Sequence, residues 1–114
     1  MSGLVKKAIE KYDGRVIPFY CTGEVVVGDV VPIGVSMVGI AVQSGLTGEK
    51  ISLEIEKVWA IKAKDTDVIT VGDVVYWDDT AKEMTKVDTD NTYAGRALSS
   101  KGTSAGTIDV KINV

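Results

Sequence analysis

Apolar and polar side chains alternate between residues 51 and 56, with Ile51, Leu53 and Ile55 set against Ser52, Glu54 and Glu56. Successive side chains of a strand point to opposite faces, so this spacing predicts a strand with one apolar face and with Glu54 and Glu56 on its solvent face. The same parity resumes at Trp59, Ile61 and Ala63. Lys57 falls where an inward residue is due, which predicts a bend, a bulge or a strand end near Glu56–Lys57. At the far end Ile108, Val110, Ile112 and Val114 alternate with Asp109, Lys111 and Asn113, a second strand with one dry and one wet face. From residue 15 onward Val, Ile and Thr are dense, Gly recurs every several residues, and runs of 3.6-residue period are few. That is the pattern of many short strands.

A turn is expected at Trp77-Asp78-Asp79-Thr80-Ala81-Lys82, which lies between the apolar run Val74–Trp77 and the mixed segment Glu83–Val87. Its Asp and Thr side chains can bond the turn backbone, so the region reads as a hairpin. Two phrases recur along the chain. Val27-Gly28-Asp29-Val30-Val31 returns as Val71-Gly72-Asp73-Val74-Val75, and Gly39-Ile40-Ala41-Val42-Gln43-Ser44 returns as Gly95-Arg96-Ala97-Leu98-Ser99-Ser100. Each copy of the second phrase leads through a Gly/Thr-rich loop into an alternating strand. Two similar β units are therefore expected, and two copies are too few for a solenoid. The predicted fold is all-β, a small single-domain barrel or sandwich spanning residues 15–114. Residues 1–14 differ: Leu4, Val5, Ala8, Ile9 and Tyr12 fall at helical spacing after a possible N-cap, Ser2, which predicts a short helix or an arm.

Length narrows this picture, because 114 residues bury roughly two-thirds of their extended surface, enough for one modest core and not for two. The charge balance, 16 acidic against 13 basic residues for a net −3, comes without any basic cluster and disfavours nucleic acid as a partner. The longest apolar stretch, Val30–Val42, is broken by Pro32, Gly34, Ser36 and Gly39 and is shorter than the ~20 residues of a membrane span. No signal-peptide pattern is visible at the start, so synthesis and retention in the cytoplasm of the producing cell are expected. Cys21 is the only cysteine and sits beside Phe19 and Tyr20, where a small buried hydrophobe is expected.

Candidate chemistry is sparse. Histidine is absent, which removes the commonest general base and the commonest metal ligand together. Glu54–Glu56 and Asp78–Asp79 are the carboxylate pairs a glycoside hydrolase would need, but a solvent face and a turn account for them. Asp88, Thr89, Asp90 and Asn91 supply oxygens without the spacing of a calcium loop, and Gly45–Lys50 lacks that of a phosphate loop. No catalytic residue, cofactor or metal is assigned. Trp59 follows the inward parity and is expected in the core. Tyr76 and Trp77, at the end of a strand, are candidates for a subunit contact or for stacking against a ligand.

The order of these phrases resembles a known family. Gly72-Asp73-Val74-Val75-Tyr76-Trp77-Asp78, then Met84-Thr85-Lys86-Val87, Asn91-Thr92, Gly95-Arg96-Ala97-Leu98 and Ile108-Asp109-Val110-Lys111-Ile112-Asn113 are similar to a family of short phage and prophage proteins described as capsid cement or decoration proteins. Gly23–Val31 and Val38–Val42 resemble the first half of that family. The resemblance implies a non-enzymatic virion protein on the outer surface of a phage head. It implies the major capsid protein as partner, a homotrimer, and neither nucleic acid nor membrane as ligand. Leu4, Val5, Ile9 and Tyr12 are then candidates for capsid contact, and Tyr76 and Trp77 for capsid or subunit contact. The alternatives are a carbohydrate-binding or tail-associated β domain with Tyr76 and Trp77 as its platform, and a hydrolase built on Asp and Glu. Exposed sheet edges are expected to pair across subunits or to be covered by the N-terminal segment, with Pro32 marking one such edge.

Overall fold

The computed structural model describes Ala8 and residues 11–114. Among these residues there are nine strands and no helix. The first four, β1 (Val16–Tyr20), β2 (Val30–Ile33), β3 (Met37–Ala41) and β4 (Lys50–Glu54), form an open antiparallel sheet in the order β1-β4-β3-β2. The remaining five are β5 (Val58–Ala63), β6 (Val74–Asp78), β7 (Glu83–Thr85), β8 (Thr92–Ala97) and β9 (Gly106–Ile112). They close into a barrel in the order β5-β7-β6-β8-β9. The closure is a parallel contact of β5 with β7, in which Ala63 faces Met84 and the Lys64 N–H donates to the Met84 carbonyl at 2.8 Å.

The all-β fold built from two similar units is therefore present, and the repeat extends to individual hydrogen bonds. In the first unit the Gly28 N–H donates to the Ala41 carbonyl (2.8 Å), and the Val26 N–H donates to the Asp29 carboxylate (2.9 Å). In the second, the Gly72 N–H reaches Ala97 (2.7 Å) and the Thr70 N–H reaches Asp73 (2.9 Å). The Ser44 and Ser100 hydroxyls accept from the Val27 and Val71 N–H groups. Gly28 and Gly72 both lie at positive φ, 94° and 95°, a conformation that costs glycine little and strains other residues. The Gly-Asp phrase thus encodes one turn twice. Glycine frees the backbone, and the aspartate immediately before the strand accepts an N–H that the turn exposes.

Predicted boundaries fall close to the observed ones. β4 ends at Glu54 and the chain bends through Lys57, whose φ is 84°, before β5 begins at Val58. The two alternating runs that share a parity thus belong to different units. β6 and β7 form the expected hairpin. The Asp78 carboxylate accepts from the Thr80 and Ala81 N–H groups at 3.0 Å each. β9 stops at Ile112 because Asn113 turns into the left-handed region at φ 60°.

The expectation of one core and not two is corrected. Cys21, Val25, Val31, Ala41, Ile51 and Leu53 form a small cluster inside the first unit. Val38 and Ile40 join the larger cluster built around Trp77, Met84, Ile108 and Val110. The period of 2 makes this possible, since alternate residues of β3 face opposite ways and a single strand serves two cores. Cys21 packs as the small buried hydrophobe expected.

Strands β1 and β2 each have one strand neighbour and are the edges of the open sheet. The chain has two prolines, and they are Pro18 in β1 and Pro32 in β2. Proline carries no N–H to donate, so each edge has a gap in its row of donors. Pro32 marks an edge as predicted.

Candidate interaction surface

Of the proposed N-terminal contact residues, Leu4, Val5 and Ile9 lie outside the described residues. Tyr12 is described and is half exposed. The segment joins the domain at Arg15, whose guanidinium lies 3.4 Å from the Glu54 carboxylate. Lys57 approaches the same carboxylate at 3.3 Å. Glu54 is buried, at 5% exposure, which corrects the prediction that it shares a solvent face with Glu56. The bend at Lys57 folds an ammonium over this face of the sheet, and Arg15 closes it from the other side. Two cations compensate one buried carboxylate, although its Oε2 atom accepts no hydrogen bond.

Tyr76 and Trp77 are adjacent on β6 and point to opposite sides. Tyr76 is half-buried and packs edge-on against Tyr93, with ring centroids 6.0 Å apart and an interplanar angle of 79°. Trp77 is 5% exposed and belongs to the main core. Its indole N–H donates to the Asp79 carboxylate at 3.0 Å, and the Lys82 ammonium donates to the same oxygen at 2.8 Å. Burial raises the Asp79 pKa, but these two hydrogen bonds outweigh it and hold the carboxyl below its ordinary value. With its ring in the core, Trp77 offers no face to a sugar. Trp59, expected in the core, is half-buried at its margin, and its indole N–H donates to the Glu56 carbonyl at 2.9 Å.

Between the β1 and β2 edges runs a groove of about 740 Å³, continuing onto the outer side of β5. Phe19, Val30, Pro32 and Trp59 are among the residues that line it, together with Ala60, and Asp79 and Lys82 lie along its rim. Pro32 was the one residue here read in advance as marking an edge. The remainder of the wall comes from segments of both units, and no local pattern signals that they meet.

Each unit also presents an apolar tip at matching positions. Val27 and Val42 are 59% and 42% exposed on the first unit, and their counterparts Val71 and Leu98 are 57% and 45% exposed on the second. Isolated exposed apolar residues are ordinary, but these are duplicated.

Among the described residues the candidate reactive groups are not brought together. Among the described residues no group of three or more His, Cys, Asp or Glu side chains is placed to hold a metal ion. Asp78 and Asp79 shape the β6–β7 turn, and Asp88–Asn91 forms a loop in which the Asn91 side chain donates to the Val87 carbonyl at 2.9 Å. No helix among the described residues is long and apolar enough to cross a membrane.

The fold and these surfaces define a small β protein with an open sheet joined to a closed barrel, distinguished by a groove and by two exposed apolar tips. A family model described as phage cement protein matches residues 11–112, nearly the whole chain, and the chain belongs to that family. It is a phage capsid structural protein by family, in agreement with the resemblance read from its sequence. The searches of curated proteins and of solved structures returned no match to this chain.

Proposed function

We propose that this protein decorates the outer surface of a phage head, ties neighbouring copies of the major capsid protein together, and does so as a homotrimer. The observation that carries this reading is the family match over residues 11–112. The trimer comes from the family resemblance, and the duplicated tips fit the bridging role. Val27 with Val42, and Val71 with Leu98, give one chain two similar contact surfaces, which suits a partner that is itself repeated across a shell. Several weak contacts engaged at once sum to firm attachment where geometry allows them to act together.

Leu4, Val5, Ile9 and Tyr12 are proposed as capsid contacts, and Tyr76, at the surface of β6 beside Tyr93, as a subunit or capsid contact. Trp77 takes part as the buried support of that strand. Light scattering on the purified protein, then sedimentation with expanded heads of the cognate phage, tests the reading. A trimer that co-sediments in fixed stoichiometry is expected. A protein that stays in the supernatant overturns it. Removal of residues 1–12 is expected to leave a folded protein that no longer sediments with heads. Unchanged binding by the shortened chain removes the N-terminal residues from the contact.

A further inference from the structure

We propose that the groove between β1 and β2 seats an extended segment of the capsid protein, in the place that β7 fills in the barrel. This rests on the cement reading and names the surface and the chemistry of its partner.

Strand registers make the comparison explicit. Ala41 faces Leu53 as Ala97 faces Val110. Leu53 in turn faces Ile17, and Val110 faces Trp59. It follows that β1 corresponds to β5, β4 to β9, and Cys21 to Ala63. The matching Gly-Asp turns make β2 correspond to β6, so that Ile33 stands for Trp77. In the barrel, Ala63 and Trp77 are the two residues that Met84 of β7 faces. The first unit has no strand corresponding to β7, because its chain passes from β2 to β3 through Gly34, Val35 and Ser36 alone. Where the second unit has a strand, the first has two edges and a groove.

The barrel also shows what such a seat accepts. Met84 is completely buried, between the partly polar flanks Glu83 and Thr85. A fitting occupant is extended, with one apolar side chain between polar neighbours, and it adds main-chain hydrogen bonds to the free edges. Phe19, Val30 and Trp59 are apolar residues of the groove, and Cys21 and Ile33, the counterparts of Ala63 and Trp77, adjoin its Thr22 and Pro32 along the chain. The prolines argue against a second copy of this chain pairing edge to edge. Each such edge lacks a donor, at Pro18 or Pro32, so two of them pair poorly. A capsid segment brings its own N–H groups to the carbonyls that remain.

Ala60 is exposed on β5 and lines the groove, so Ala60→Trp fills it from the surface. The full-length variant is expected to melt as the unaltered protein does, to keep its mass in solution, and to lose about tenfold or more of its affinity for expanded heads. Ala60→Ser is expected to bind normally. Unaltered affinity of a folded Ala60→Trp protein overturns the proposal. A change in the mass of free Ala60→Trp protein identifies a second copy as the occupant and overturns it too. Hydrogen exchange of the unaltered protein is independent of any variant: the Tyr20, Thr22 and Val30 amides are expected to slow on heads, and unchanged exchange in bound protein overturns the proposal. If the unaltered protein does not bind heads at all, the cement reading itself fails, which is a separate result.

Discussion

Asn113 holds a left-handed backbone conformation at φ 60°, which asparagine tolerates better than most residues. Its side chain spans the two units. The amide oxygen accepts from the Val38 N–H at 2.9 Å, and the amide nitrogen donates to the Val38 and Ile55 carbonyls at 2.8 Å each. Asn113→Ala removes all three bonds, strands the polar backbone of Val38 and strains the turn, at an expected cost of about 2–4 kcal/mol in denaturant unfolding. Asn113→Asp keeps the turn preference and one acceptor but loses both donated bonds, so an intermediate loss is expected. Asp67 is one of the residues with a pH signature. Burial raises its pKa, but the Lys86 N–H and the Thr85 hydroxyl bond its carboxylate at 2.9 and 2.8 Å, with Lys64 and Lys101 nearby, and the net shift is downward. A carboxyl depressed in the folded state stabilises it above the unfolded value of about 4, and that contribution is lost as pH falls through the folded value. Acid unfolding is therefore expected to be steeper below about pH 4 in the unaltered protein than in Asp67→Asn. Equal slopes exclude the role.

At the scale of elements, the barrel depends on its shortest strand. β7 has three residues, yet it joins β5 to β6, and Met84 at its centre is wholly buried. Met84→Ala is expected to cost about 2–5 kcal/mol, measured by thermal or denaturant unfolding, and to loosen the β5–β7 contact first. A loss below about 1 kcal/mol would show that the barrel holds without this anchor. Alternation at Ile51–Ile55 and Ile108–Ile112, the Asp78 turn and the doubled Gly-Asp phrase made β4, β9, the hairpin and the two-unit plan readable in advance. Those features are local, carried by residues a few positions apart. The parallel join of Ala63 to Met84, the burial of Glu54 by Arg15 and Lys57, and the groove were not readable. Each arises from residues of separate strands, and a period of 2 says that a side chain leaves its strand without saying what it meets. Tyr76 and Trp77 show the same limit, since one turns to the surface and its neighbour to the core.

For the whole molecule, the asymmetry between two similar units lies in one connection. The same turn, the same serine bond and the same strand order are present twice, and β7 closes one unit while the other remains open. The closed unit carries most of the larger cluster, with Trp77, Met84, Ile108 and Val110, and the smaller cluster inside the open unit has six buried apolar residues. Stability is therefore distributed unevenly. The open sheet has two free edges and the smaller cluster, which places it at the low end of the range of local opening energies.

The sole thiol of the chain lies on the inner face of that open sheet, with Cys21 at 3% exposure. A maleimide or disulfide reagent reaches it only when the first unit parts, so the rate of its modification is a clock for that opening, with no competing sulfhydryl in the barrel. The clock runs without any engineered label. On a particle, a slower rate would register the first unit being clamped shut.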